Sequence, residues 1–265
     1  MKNLNFIAAL LLATTALTSC QKENTSTPFY GSNNHGQSAK ESDYLYLKDV
    51  INTKGEVCQS FVYNDEKKLI QINMPVDVSQ SFIYDEKGNL ESATTLDGKT
   101  SQVTEQLVFL YNDDASLPHL MNTYINEGGA LKLMAVTKIE WTAEGLKKHE
   151  HTTLEATQET LETLFEYSDD NASIITKFKD GNLASTKVIK QYDDSENPYA
   201  KIKTLRLLPG FEWFKNNTVF SFVESNGNVE NFTNEITYDE FGLPRIIKTV
   251  MDNGEKTSMQ FTYDK

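Results

Sequence analysis

Cysteine, histidine and tryptophan are scarce in this sequence, with two, four and two residues among 265. Two cysteines, Cys20 and Cys58, support neither a disulfide scaffold nor a cysteine-built zinc site. The sequence has no HExxH run, nucleophile elbow or phosphate-binding glycine loop, and His119, after Pro118, has no identifiable triad partners. Positive charge is also short. Lysine and arginine number 25 against 38 acidic residues, a formal net charge of −13, so nucleic acid and anionic headgroups are poor partners. Long apolar runs are confined to Phe6–Leu17, and no later stretch is long enough to cross a bilayer as a helix.

That one apolar run follows Met1-Lys2-Asn3 and ends in small residues at Leu17-Thr18-Ser19-Cys20, the layout of a secretory signal rather than of a membrane helix. Leu-Thr-Ser-Cys resembles the bacterial lipoprotein box, which implies cleavage before Cys20 and diacylglycerol on its thiol. Residues 1–20 are then a lipoprotein signal peptide, and the partner is a membrane held through the lipid on Cys20, whose acyl chains contribute about 0.8 kcal/mol per buried methylene. Cleavage removes Lys2 and no acid, leaving 24 basic and 38 acidic residues. It also leaves Cys58 as the one cysteine after the cleavage point, which reads as a small buried apolar residue beside Val57 and Phe61. Residues 21–42, rich in Ser, Asn, Gln, Thr and Gly, read as a flexible tether with a reach of about 25 Å. Gln21-Lys22-Glu23 is similar to the short charged signal that carries some Bacteroidota lipoproteins to the cell surface. The expected location is the cell envelope, anchored to the outer membrane, with an outward-facing position open.

Residues 43–265 read as a single repetitive β domain. Leu107, Phe109 and Tyr111 alternate with polar positions, as do Met259, Phe261 and Tyr263, while Phe220 and Phe222 share a face; period two marks strands with one buried and one wet side. Two kinds of turn alternate along the chain. One follows a tyrosine, at Tyr63, Tyr84, Tyr111, Tyr167, Tyr192 and Tyr238, with Trp141 in one tyrosine position; the other is built on glycine, as at Asp97-Gly98, Asp180-Gly181 and Asn226-Gly227. Asn-Gly and Asp-Gly supply the positive φ that tight hairpins need. Each kind should occupy its own rim of an up-and-down antiparallel meander of about 15 or 16 strands. The expected architecture is all-β, rolled by its twist into an open or half-barrel-like sheet with an inward aromatic ladder. A membrane barrel competes with this reading, but acidic residues scattered along the strands count against it. Over Lys147–Phe165 a short helix competes with a hairpin, and the hairpin is the preferred reading.

The rhythm breaks between Asp193 and Asn217. Pro198, Pro209-Gly210, Tyr199, Phe211, Trp213 and Phe214 interrupt it, and so long a connection is a lid, a plug or a functional loop. Tyr199, Phe211, Trp213 and Phe214 are the candidate ligand-binding residues, with aromatic faces suited to stacking on sugar rings; the structural alternative is that they fill one end of the roll.

Phe82-Ile83-Tyr84-Asp85-Glu86-Lys87-Gly88-Asn89-Leu90 resembles the YD repeat of Rhs-type shell proteins. Together with the lipobox, with Asn197-Pro198-Tyr199 and with Tyr238-Asp239-Glu240-Phe241-Gly242-Leu243-Pro244, it is similar to a Bacteroidota lipoprotein family of unknown function described as porin-like in fold. The likeness covers most of residues 44–265. It implies architecture and address and brings no catalytic residues with it.

The remaining chemistry is sparse. Asp85-Glu86, Asp113-Asp114, Asp169-Asp170, Asp193-Asp194 and Asp239-Glu240 should line one rim, where calcium is one use and turn formation the commoner one. His149 and His151 share a face if their segment is a strand, but no third metal ligand is visible nearby. The sequence therefore assigns no metal, cofactor or catalytic residue. The function expected is a non-enzymatic envelope lipoprotein presenting a binding or assembly module for a glycan or protein. The alternatives are a carbohydrate-active hydrolase and a structural subunit of an outer-membrane complex.

Overall fold

The computed structural model describes residues 46–264; the signal segment 1–20, Cys20 and the tether 21–42 lie outside the described residues. The chain runs through β1 (Tyr46–Asn52), β2 (Val57–Tyr63), β3 (Leu69–Met74), β4 (Val78–Tyr84), β5 (Leu90–Asp97) and β6 (Gln102–Leu110). It continues through β7 (Leu120–Glu127), β8 (Ala130–Trp141), β9 (Lys147–Leu154), β10 (Thr160–Ser168), β11 (Asn171–Lys179) and β12 (Asn182–Glu196). A short 3-10 helix, Lys203–Leu207, precedes β13 (Asn216–Ser225), β14 (Asn228–Tyr238), β15 (Pro244–Met251) and β16 (Lys256–Asp264). Every strand pairs antiparallel with its neighbours in sequence. The hairpin over residues 147–165 forms as β9 and β10.

The sheet is closed, which corrects the open or half-barrel expectation. β1 pairs with β16 from Tyr46↔Asp264 to Asn52↔Met259, sealing a sixteen-strand barrel. Closure removes the two unpaired edges that an open sheet would present, and with them two rows of unsatisfied backbone groups. Sixteen strands, however, make a barrel too wide for its inner faces to touch. The missing filling comes from the chain itself: the connection between β12 and β13 turns into the lumen, where Ile202, Leu205 and Phe211 join Val50, Phe61, Ile72, Phe82, Leu107, Phe109, Met121, Ile139 and Phe261 in one buried cluster.

The tyrosine turns lie along one rim and the glycine turns along the other. Four of the tyrosine-rim turns are built alike. In the clearest, Asp85 N donates to Asn89 O (2.9 Å), Gly88 N to Asp85 O (2.9 Å), and Asn89 N to the Asp85 carboxylate (2.8 Å). Asn64, Thr142 and Asp239 repeat the pattern toward Lys68, Leu146 and Leu243. Lys67 takes the left-handed position (φ 61°) that Gly88 fills (φ 83°), so the first turn keeps its shape without glycine.

In six units the aromatic ties the rim together. Tyr63 donates its hydroxyl hydrogen to Leu47 O (2.8 Å), Tyr84 to Leu69 O (2.7 Å), Tyr111 to Leu90 O (2.9 Å) and Tyr263 to Pro244 O (2.7 Å). Tyr192 does the same to Ala172 O. Trp141 keeps the role with its indole N–H, donated to Pro118 O (2.7 Å). Tyrosine rather than phenylalanine recurs because the ring packs against the filled lumen while its hydroxyl reaches a rim carbonyl.

One face assignment differs from the alternation. Ser221 is the buried residue of its stretch and stands opposite Ile189, which packs with Phe165 and Ile175 inside the barrel. Phe220 and Phe222 therefore point outward, where the Lys190 ammonium lies 5.7 Å from the Phe222 ring.

Candidate functional site

The inner face of the barrel is graded. Toward the tyrosine rim it is apolar and filled. Toward the glycine rim it carries hydroxyls and charges, including Thr137 and Thr152, whose hydroxyls meet at 2.8 Å, and Thr249, which donates to Asn234 (2.7 Å). Glu105 faces the same space beside Thr95; burial pushes its carboxyl up, partly offset by the Thr95 hydroxyl. The connections at the glycine rim are short hairpin turns, and among the described residues none folds across that end of the lumen. At that rim a cavity of about 260 Å³ opens between the β7–β8 hairpin and the turn after β9.

The inserted segment, residues 197–215, forms the floor. Its two ends are stapled: Asn197 N donates to Lys215 O (2.9 Å), and the Asp193 carboxylate accepts from Ser195 N (3.1 Å) and from Asn217 N (3.1 Å). The Tyr238 hydroxyl also donates to Asp193. Inside the barrel the segment makes the 3-10 helix, whose Thr204 hydroxyl meets Tyr84 Oη at 2.7 Å.

A buried ion pair on β9 grips the far side of the insertion. Lys147 Nζ lies 2.6 Å from Glu150 Oε1, with the two side chains only 2% and 6% exposed. Each charge also binds the insertion's backbone: Lys147 donates to Leu208 O (2.7 Å), and Gly210 N donates to Glu150 Oε2 (3.0 Å). Desolvation pushes the Lys147 ammonium below its ordinary value, and Glu150 opposes that shift. A Lys–Glu pair this buried is tolerable because its remaining hydrogen-bonding capacity is spent on main-chain groups.

A second charged group faces the lumen. Glu212 accepts from Lys187 (2.6 Å, β12) and from Lys177 (3.5 Å, β11). Burial would raise its carboxyl, but Lys187 and then Lys177 more than offset that and hold it below the ordinary carboxylate value. Glu212, Lys187 and Lys177 remain 21%, 28% and 40% exposed, so this triad is wetted where the first is dry.

The four aromatics singled out in the sequence all lie on this insertion and divide between two clusters. Tyr199 packs among Phe61 (6.2 Å between ring centroids), Phe211 (6.4 Å) and Phe261 (6.2 Å), and Phe211 is buried. Trp213, beside Glu212 in sequence, packs against the same main cluster while keeping part of its surface open. Phe214 belongs to the second cluster, against Tyr192 (6.0 Å), with Lys187 Nζ 5.4 Å from its ring centroid. Tyr199 and Phe211 therefore serve as filling, Phe214 is the aromatic whose ring meets a lysine of the wetted triad, and Trp213 is half-buried next to Glu212 in the chain.

Sequence reasoning missed Lys147, Glu150, Lys177, Lys187 and Glu212. A signal was there: Lys177 keeps step with Ile175, and Lys187 with Ile189, so period two puts both ammoniums on the inward face. Cys58 is buried, as expected. The rim aspartates Asp85 and Asp239 spend carboxylate oxygens on their own turns.

The outer wall carries charge. Because Glu150 faces inward, its neighbours His149 and His151 face outward, as do their register partners Glu140, Lys138 and Glu162. Glu235 and Lys248 form an outward pair at 2.8 Å. Outward lysines such as Lys138 and Lys248 would each cost up to about 2–4 kcal/mol facing the middle of a bilayer, and the carboxylates less.

No protein-family model matches the chain, and no curated protein does. Solved structures do match. A porin-like protein from Bacteroides uniformis ATCC 8492 shares 13% identity at a TM-score of 0.56, with 83% of this chain and 96% of that one covered. A porin-like protein from Bacteroides vulgatus ATCC 8482 shares 8% at a TM-score of 0.54, covering 83% and 99%. At such identities the likeness is one of architecture: the chain has the fold of these porin-like barrels.

Proposed function

We propose that this protein is a non-enzymatic, lipid-anchored component of a bacterial cell envelope whose barrel works as a one-ended cup for a polar ligand, a saccharide in the first instance. The observation that carries the reading is the insertion of residues 197–215, which fills the tyrosine end of the lumen and brings Glu212 to Lys187 and Lys177, with the Phe214 ring against Lys187 and the half-buried Trp213 next to Glu212 in the chain. A conducting channel needs an open bore, and this lumen is filled over its tyrosine half. An aromatic ring beside fixed charges offers a sugar both a stacking surface and hydrogen-bond partners. The porin-like neighbours and the lipobox at Cys20 support the envelope address. The charged outer wall favours anchoring by lipid over insertion of the barrel itself.

A glycan array probed with the full chain tests the ligand. Retention of particular saccharides by the wild type, weakened at least tenfold in Trp213→Ala and in Glu212→Gln, is the expected result. Retention unchanged in both variants, or none on any glycan, overturns the saccharide reading. Wild-type conductance in a planar bilayer would overturn the cup. The anchor has a separate test: labelled palmitate should enter the wild type and be absent from Cys20→Ala.

A further inference from the structure

We propose that His149, His151 and Glu162 form a binding site for one divalent transition-metal ion, zinc above all, on the outer wall of the barrel and separate from the lumen. Their ligand atoms lie within 4.8 Å of one another. His149 and His151 are two residues apart on β9 and project from the same face, and Glu162 of β10 stands directly opposite His151 in the strand register. The third ligand that local sequence did not show is thus supplied by the neighbouring strand.

The spacing suits a metal. Glu162 Oε1 is 3.3 Å from His151 Nδ1, and Oε2 is 3.6 Å from His149 Nε2. Ligands about 2.1 Å from a tetrahedral ion are separated by about 3.4 Å, so small side-chain rotations bring the set to coordination distance. The rings of His149 and His151 stand edge to face, 6.2 Å apart and inclined by 72°, so they are not stacked on one another.

Two further observations point to an occupant. His149 Nε2 is shielded from solvent and makes no hydrogen bond, although it faces a carboxylate. A buried polar nitrogen without a partner calls for one, and a cation held jointly with Glu162 would supply it. On the other side of the same ring, Glu140 Oε1 lies 3.7 Å from Nδ1. A small rotation of Glu140 would close that gap to the hydrogen bond by which a carboxylate fixes the orientation of a metal-ligating imidazole. Lys138 stands opposite His151 on β8 but is exposed, leaving its ammonium free to turn into solvent. Three protein ligands leave a fourth position for water. Each ligand atom is contributed as neutral imidazole or carboxylate, so no covalent step is involved.

Chelator-treated full-length protein titrated with Co²⁺ and then Zn²⁺ tests the site. The expected result is one Co²⁺ per chain with the visible d–d bands of four- or five-coordinate cobalt, displaced by one equivalent of Zn²⁺. His149→Ala, His151→Ala and Glu162→Gln should each weaken Zn²⁺ binding by roughly a hundredfold, and Glu140→Gln by about tenfold through loss of orientation. His35→Ala and His119→Ala should leave it unchanged. Wild-type protein that binds Co²⁺ with only the faint spectrum of the hexa-aquo ion overturns the site, whatever the variants do. Full Zn²⁺ affinity in the His149→Ala/His151→Ala double variant overturns it as well. All four positions lie on the outer wall, and far-UV circular dichroism checks that each variant keeps the barrel.

Discussion

A single hydroxyl distinguishes the recurring tyrosine from phenylalanine, and in this barrel that hydroxyl is what the rim requires. Tyr111 binds only Leu90 O, whereas Tyr84 binds Leu69 O and also meets Thr204 of the inserted segment. Tyr111→Phe should therefore cost about 1 kcal/mol and Tyr84→Phe about 2 kcal/mol in urea unfolding. Equal losses would separate Tyr84 from the insertion. The same rings respond to alkali. An unfolded tyrosine releases its proton near pH 10. Tyr111, desolvated and facing Asp85, holds its proton to about 12, and burial pushes Tyr63, Tyr167, Tyr192 and Tyr263 up as well. Above about pH 10 the folded state then binds more protons than the unfolded one, so this stability is complete below pH 10 and is lost as pH rises toward the folded values. Absorbance at 295 nm should show these tyrosines ionising together with unfolding; smooth titration near pH 10 in a still-folded protein would contradict the account.

Among the elements, the insertion and the strand that grips it are coupled. Glu150 serves Lys147 on one side and Gly210 N on the other, so Glu150→Leu strands a buried ammonium and should cost about 3–5 kcal/mol. Adding Lys147→Met removes the stranded charge and should restore most of that loss, and urea midpoints of the two single variants and the double variant check it. Even in the restored protein the insertion lacks partners for Leu208 O and Gly210 N, so it should be cut by protease sooner than in the wild type. Little of this was legible beforehand. The turn chemistry of Asp85-Glu86-Lys87-Gly88-Asn89 is local, and local chemistry shows in sequence; so do the alternation of Leu107, Phe109 and Tyr111 and the interruption at Pro198 and Pro209. The grip of Lys147 and Glu150 on residues 208–210 joins positions about sixty apart in the chain, and nothing near either end announces it. His149 and His151 likewise showed only half a metal site, since Glu162 reaches them through strand register.

For the molecule as a whole, the strand count and the two rims followed from alternating turn types, but closure did not. Whether Tyr46–Asn52 meets Lys256–Asp264 depends on twist summed over the whole sheet, which no short stretch encodes. Closure and filling belong together, because a sixteen-strand wall has no dry interior until residues 197–215 enter it. Native hydrogen exchange of the full chain, read peptide by peptide, tests both at once. The account predicts that β1 and β16 exchange as slowly as the interior pair β4 and β5, and that residues 202–211 are protected along with them through the bonds from Leu205 N, Leu208 N and Gly210 N. Exchange of residues 202–211 within seconds, or fraying of β1 and β16 as free edges, would contradict the closed and plugged barrel.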